Sequence, residues 1–317
     1  MGSMKTLPPL VIIVGHYGVG KTNLALNLAR IQRDGMRQAR DGYDRGTGDR
    51  GTGTGYRGTV QHRGDGSFCV PKEHKKNRPL CVEPSPCNQS PSPCHQSPCH
   101  QSPGHTPSCH PRQTIVDLDV VNPYYRTSGF RDELAASGIR MLGPVHGTTT
   151  LDTPSLMPGI GTVIAEASIE HPVIVDVGGD ADGARALARF VPQIEAKPDT
   201  MLIYVVNQAR PETATPDQAL AILREIEKTS GINATHIAGN THLKEQTTTD
   251  TVVASLPYVQ SLSQAANLPV AFVTAPRSCV ADVEAIVAAS LLPLYILPVD
   301  IIVGNPWEDT VPFASQN

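Results

Sequence analysis

The residues best suited to chemistry are Gly15-His16-Tyr17-Gly18-Val19-Gly20-Lys21-Thr22. They fill every fixed position of the phosphate-binding pattern G-x-x-x-x-G-K-[ST]. Glycines let the backbone turn tightly, so that successive N–H groups can point at phosphate oxygens. Lys21 then reaches the β- and γ-phosphates, and the Thr22 hydroxyl is placed for Mg²⁺. Two further stretches carry carboxylates: Ile115-Val116-Asp117-Leu118-Asp119, followed by Val120-Val121-Asn122-Pro123, and Val173-Ile174-Val175-Asp176, followed by Val177-Gly178-Gly179-Asp180. A carboxylate there can hold a metal-bound water or orient the water that attacks a phosphate. Asp176 is placed to contact Mg²⁺ through water, and Gly178-Gly179 can form a mobile switch.

These residues need elements to position them. Leu10–Val14 is a short apolar run of buried-strand type, and the segment after Lys21 has a helical pattern. Strands are expected at Leu10–Val14, Thr114–Leu118, Val173–Val177, Met201–Val206, His236–Ala238 and Val270–Thr274. Helices are expected at Lys21–Arg33, Arg131–Ser137, Gly159–Ile169, Ala181–Phe190, Pro216–Lys228, Thr251–Ala266 and Ala281–Leu291. Continuous Val/Ile runs alternating with helices predict an α/β fold, a doubly wound, mostly parallel sheet with helices on both faces. Ligands in such sheets sit beyond the C-terminal strand ends, where all three motifs fall.

The core resembles the MinD/ParA-type branch of P-loop NTPases, which includes the nucleotide-binding domains of cobyrinic acid diamide synthases. It is most similar to ParA-like ATP-binding proteins whose loop reads like GHYGVGKTN and whose next strand reads like VDLDVVNPY. The resemblance implies ATP and Mg²⁺ as cofactors, slow hydrolysis and often a nucleotide-dependent dimer. By the same resemblance Gly15, His16, Gly18, Val19, Gly20, Lys21, Thr22 and Asn23 bind the nucleotide. Thr22, Asp119 and Asp176 serve the metal. Asp119 positions the attacking water, with Lys21 and Asp117 as its catalytic partners. Asn240, in Gly239-Asn240-Thr241-His242, is the candidate for the adenine. One position departs from the branch. Its signature Lys, which crosses a dimer interface, is His16 here, and a neutral imidazole is a poorer phosphate partner. The homodimer is thereby put in doubt.

The chain divides by composition. From Ala39 to Gln113 apolar periodicity is almost absent, and five-residue repeats appear, such as Cys94-His95-Gln96-Ser97-Pro98 and Cys99-His100-Gln101-Ser102-Pro103. Such a stretch buries too little apolar surface to offset its chain entropy. Residues 39–113 are therefore expected to be a disordered insertion. The single nucleotide-binding domain comprises residues 8–38 and 114–305, with a tail at 306–317. Six of the seven cysteines lie in the insertion, without a C-x-x-C pair, so their spacing follows the repeat rather than a metal cage.

Charge and motif content exclude several functions. Ten of the 26 basic and six of the 30 acidic residues lie in 39–113. The remainder carries 16 and 24, a net of −8, which argues against nucleic acid as a partner. No basic amphipathic C-terminal helix is evident, so no membrane attachment of the MinD type is expected, and the location is read as cytoplasmic. Two functions remain. One is a slow Mg²⁺-dependent ATPase switch acting on an unknown protein partner. The alternative is an ATP-dependent small-molecule ligase resembling dethiobiotin or cobyrinate synthases.

Overall fold

The apolar segments pair side by side into one sheet. The computed structural model describes residues 7–47, 113–119, 130–143 and 159–303. Its strands are β1 (Leu10–Val14), β2 (Gln113–Asp117), β3 (Ile139–Leu142), β4 (Val173–Asp176), β5 (Thr200–Val206), β6 (His236–Gly239), β7 (Val270–Pro276) and β8 (Ile296–Val299). They lie in the order β3-β2-β4-β1-β5-β6-β7-β8, and every described pair is parallel. The chain winds from β1 toward one edge and then, from β5, toward the other. β1 is therefore the switch point, flanked by β4 and β5.

Helices cover both faces: α1 (Lys21–Thr47), α2 (Arg131–Ala136), α3 (Ile160–Ala165), α4 (Ala181–Ala188), α5 (Val191–Glu195), α6 (Pro216–Ser230), α7 (Thr249–Ala254), α8 (Leu256–Ala266) and α9 (Val280–Ala289). Side chains alternate across a strand, which splits the core in two. Leu10, Ile12 and Val14 of β1 pack with Ile164, Leu187, Leu223, Val259 and Val283 of α3, α4, α6, α8 and α9. Val11 and Ile13 face the other way, onto Leu24 and Leu28 of α1 and Leu134 of α2. The sheet belongs to the unit made of residues 1–44 with 108–317.

The doubly wound α/β expectation holds, and the sheet is wholly parallel where it is described. Several element boundaries differ from expectation. α1 runs past Arg33 to Thr47; helix formers such as Met36, Arg37, Gln38, Ala39 and Arg40 carry it on through Gly35, Gly42 and Gly46. β2 begins at Gln113, not after it. The Gln113 side chain is buried and its Nε2 donates to Gln32 Oε1 at 3.0 Å. The single helix expected over 251–266 is two, α7 and α8, since Pro257 cannot donate to the carbonyl four residues back. β3 and β8 were not expected; each has four residues, and β8 holds Pro298, which an edge strand tolerates. The 306–317 tail, residues 48–112 of the expected insertion and its cysteines and histidines lie outside the described residues.

Removing residues 39–112 and joining Gln38 to Gln113 is expected to leave a chain that melts cooperatively within a few degrees of the full-length one. Removing Gln113 as well loses a buried hydrogen bond worth about 1 kcal/mol, or roughly 2–4 °C for a chain of this size. Scanning calorimetry of the two deletions checks both values. Failure of the first to fold would show that the fold requires 39–112.

Candidate functional site

The loop between β1 and α1 is held by its own carbonyl groups. Gly18 and Gly20 take φ of 75° and 90°, and Gly15 takes 153°. A Cβ on Gly15 would stand 2.5 Å from the Val205 carbonyl oxygen, and one on Gly20 would stand 2.5 Å from Asn240 Nδ2. Neither position admits a side chain. Lys21 Nζ donates to His16 O at 3.0 Å, and Arg210 Nε donates to Gly18 O at 2.8 Å. Asn240 Nδ2 donates to Val19 O at 2.7 Å, and Leu24 N to Gly20 O at 3.0 Å. Apart from the turn at Tyr17-Gly18, which brings the Val19 N–H toward the His16 carbonyl, the N–H groups of residues 16–22 donate no hydrogen bond among the described residues. Backbone donors in a folded protein are rarely left unpaired, so this row of N–H groups is suited to an anion.

Carboxylates face this loop from β2 and β4. The Thr22 hydroxyl donates to Asp176 Oδ2 at 2.8 Å. The Leu118 N–H donates to the Asp176 carbonyl at 2.8 Å, tying the two strand ends together. Asp117 and Asp119 take different positions. Asp117 is fully buried, and its Oδ1 accepts from the Asp119 N–H at 2.9 Å. Asp119 lines the cavity described below, and Asp117 does not. Burial pushes the Lys21 ammonium below the usual lysine range, while Asp176, Asp119 and Asp180 act to hold its charge. Gly179 closes over the loop. A Cβ there would lie 2.6 Å from Tyr17 N and 2.8 Å from Lys21 Nζ.

A cavity of about 380 Å³ opens beside the loop. Of the expected site residues, Gly18, Gly20, Lys21, Thr22, Asn23, Asp119, Asp176 and Asn240 line it, and Gly15, His16, Val19 and Asp117 do not. The His16 Nδ1 is buried without a hydrogen-bond partner among the described residues. The Asn240 amide is already committed: besides holding Val19, its Oδ1 accepts from Thr274 Oγ1 at 2.6 Å. The Asn23 side chain turns away from the loop. Its Oδ1 accepts from the Ile302 and Val303 N–H groups at 2.8 and 3.1 Å, and its Nδ2 donates to the Asp300 carbonyl at 3.0 Å.

The wall that Asn23 holds was not foreseen. Asn27 exchanges two hydrogen bonds with the Asp300 backbone, at 2.9 Å each. The Asp300 carboxylate receives Arg30 Nη1 at 2.6 Å and Arg277 Nε at 2.9 Å. Residues 23, 27 and 30 lie one turn apart on α1, so one helical stripe grips the segment after β8. Val299, Asp300, Ile301 and Val303 then line the cavity. The only sequence signals were three polar residues, Asn23, Asn27 and Arg30, spaced one turn apart among the apolar residues of the first part of α1, and an Asp two residues after Pro298.

Among the described residues, no three His, Cys, Asp or Glu side chains converge on a metal position. The donors present are the Thr22 hydroxyl and the Asp176 and Asp119 carboxylates. An all-oxygen set with few carboxylates fits Mg²⁺, which fills its shell with water and phosphate oxygens.

Burial, with the charges of Arg210 and Lys244 adding to it, brings His242 down to about 4. A Cβ on Gly20 would stand 2.9 Å from its Nε2, so the ring packs on the loop. The unfolded chain binds this proton near pH 6.5 and the folded chain near 4, so stability is full above pH 6.5 and falls as the pH drops through that window. The expected loss is about 1–3 kcal/mol by pH 4, and His242→Gln should remove most of that share of the slope. Urea unfolding of both chains at stepped pH checks this; identical slopes would refute it.

Among the described residues, no helix is long and apolar enough to cross a membrane. No family model and no curated protein matches the chain.

Proposed function

We propose that the protein binds ATP with Mg²⁺ and hydrolyses it slowly, acting as a nucleotide switch for a protein partner. On this reading it is a P-loop NTPase of the MinD/ParA type. The observation that carries the reading is the glycine loop from 15 to 22, whose N–H groups are largely without internal partners and which ends at a buried lysine and at a threonine bonded to a strand-end carboxylate. Those are the parts that cradle, charge-balance and metal-couple a polyphosphate.

Each residue has a defined role in this proposal. Lys21 exchanges the His16 carbonyl for the β- and γ-phosphate oxygens. Thr22 and Asp176 would hold Mg²⁺, which when bound would neutralise the charge developing on the transferred phosphoryl group. Asp119 orients the attacking water. Asp117 fixes the backbone of Asp119 and touches no substrate. Gly178 and Gly179 let the segment after β4 follow the γ-phosphate, the movement a partner would read. His16 does not line the cavity, so activation across a homodimer by that residue is not part of the proposal. The ligase alternative calls for basic groups beside the γ-phosphate. Apart from Lys21, the described Lys and Arg residues that line the cavity are Arg210 and Lys244. They stand at the β5 and β6 ends, whereas Asp119 stands at the β2 end, so no observation here favours a ligase.

Titration calorimetry with Mg²⁺-ATP and Mg²⁺-GTP tests the reading. Wild-type protein is expected to prefer ATP, and Lys21→Ala to lose binding by about 100-fold or more. Asp119→Ala should keep ATP binding while phosphate release drops by about 10²–10³-fold. Absence of ATP binding by the wild type would refute the proposal.

A further inference from the structure

The cavity has two ends of different chemistry. At one end lie Lys21, Thr22 and the carboxylates of β2 and β4. At the other, the ends of β5, β6, β7 and β8 contribute Arg210, His242, Pro276 and the apolar Ile301 and Val303. Arg210 is the residue at this second end with a preset side chain. Its Nε is fixed on the Gly18 carbonyl at 2.8 Å, and its Nε, Cζ and Cδ lie 3.5–3.9 Å from where a Cβ on Gly18 would stand. The guanidinium is therefore laid along the outer, carbonyl side of the loop, away from the inward N–H groups. Its terminal nitrogens have no hydrogen-bond partner among the described residues. The charge pattern agrees with this placement. Arg210 acts on His242, whereas the charges acting on Lys21 are those of Asp176, Asp119 and Asp180.

We propose that Arg210 packs its guanidinium plane against the purine ring of the bound nucleotide, making it the base-holding residue of the cavity. The inference rests on the nucleotide reading above and adds to it where the base lies and what holds it. An anchored guanidinium suits this role. It is planar, delocalised and weakly hydrated, so it loses little by leaving water for an aromatic face. The Gly18 anchor restricts the side chain before the ligand arrives, which lowers the entropy cost of binding. The apolar wall at Ile301 and Val303, gripped by α1, supplies the rest of the ring's surroundings.

The test compares Mg²⁺-ATP with a probe that has no base, Mg²⁺-tripolyphosphate, by titration calorimetry of the full chain. Arg210→Ala also removes the Gly18 anchor, so both probes can weaken, but ATP is expected to lose about 10-fold more affinity than tripolyphosphate. Arg210→Lys keeps a positive charge and a donor for Gly18 but has no plane, so its ATP affinity should stay close to that of the alanine variant. If the alanine variant fails to fold, the lysine variant gives the same comparison. An equal loss for both probes would make Arg210 a phosphate or loop-supporting residue and overturn the proposal, as would full recovery of ATP binding by lysine. Wild-type protein that binds tripolyphosphate as tightly as ATP would overturn the base contact alone. Wild-type protein that binds neither would overturn the nucleotide reading itself.

Discussion

A backbone that turns its N–H groups inward must turn its carbonyls outward, and each outward carbonyl needs a donor. In this protein the requirement is met four times within five residues. The donors are Lys21 for His16, Arg210 for Gly18, Asn240 for Val19 and Leu24 for Gly20. They arrive from α1, from the end of β5 and from the end of β6. The loop therefore requires β5 beside β1 and β6 beside β5, the order the sheet adopts. Thr274 of β7 extends the chain of contacts by orienting the Asn240 amide. A buried polar network of this kind is rigid only when every member is satisfied.

The same loop sets the electrostatics. Lys21 is buried, which disfavours its charge, and three carboxylates at or just beyond strand ends act to keep it. Their positions depend on the parallel sheet, because β1, β2 and β4 all run in one direction and deliver their C-terminal ends to one rim. Asp180 also caps α4, since its Oδ1 accepts from the Gly183 N–H at 2.8 Å. Removing that carboxylate would loosen the helix as well as the field at Lys21.

The glycine loop, β1 and the strand-end carboxylates were legible in the sequence because each is written in a few adjacent residues. Buried parallel strands read as unbroken apolar runs, and an Asp that ends such a run stands out. What was not legible depends on distant partners. Asn23 and Asn27 find Asp300 across more than 270 residues, and Arg210 finds Gly18 across 192. No local pattern marks such pairs. Asp117 and Asp119 look equivalent in sequence; burial separates them, because β2 ends at the first and the second lies beyond it. β3 and β8 are four residues long, too short for a period to declare itself, and β8 is further disguised by Pro298.

The grip of α1 on the segment after β8 also has a temporal side. The helix that opens at Lys21 leaves the ribosome well before residues 300–303, which are made more than 270 residues later. At synthesis rates of about 5–20 residues per second, some tens of seconds separate the two. During that interval Asn23, Asn27 and Arg30 lack the backbone and carboxylate that later satisfy them, and the cavity lacks one wall. A chain interrupted before β8 would carry the whole glycine loop and all the strand-end carboxylates, yet its cavity would lack the wall formed by Val299, Asp300, Ile301 and Val303. A closed cavity is in this sense a certificate of completed translation through β8.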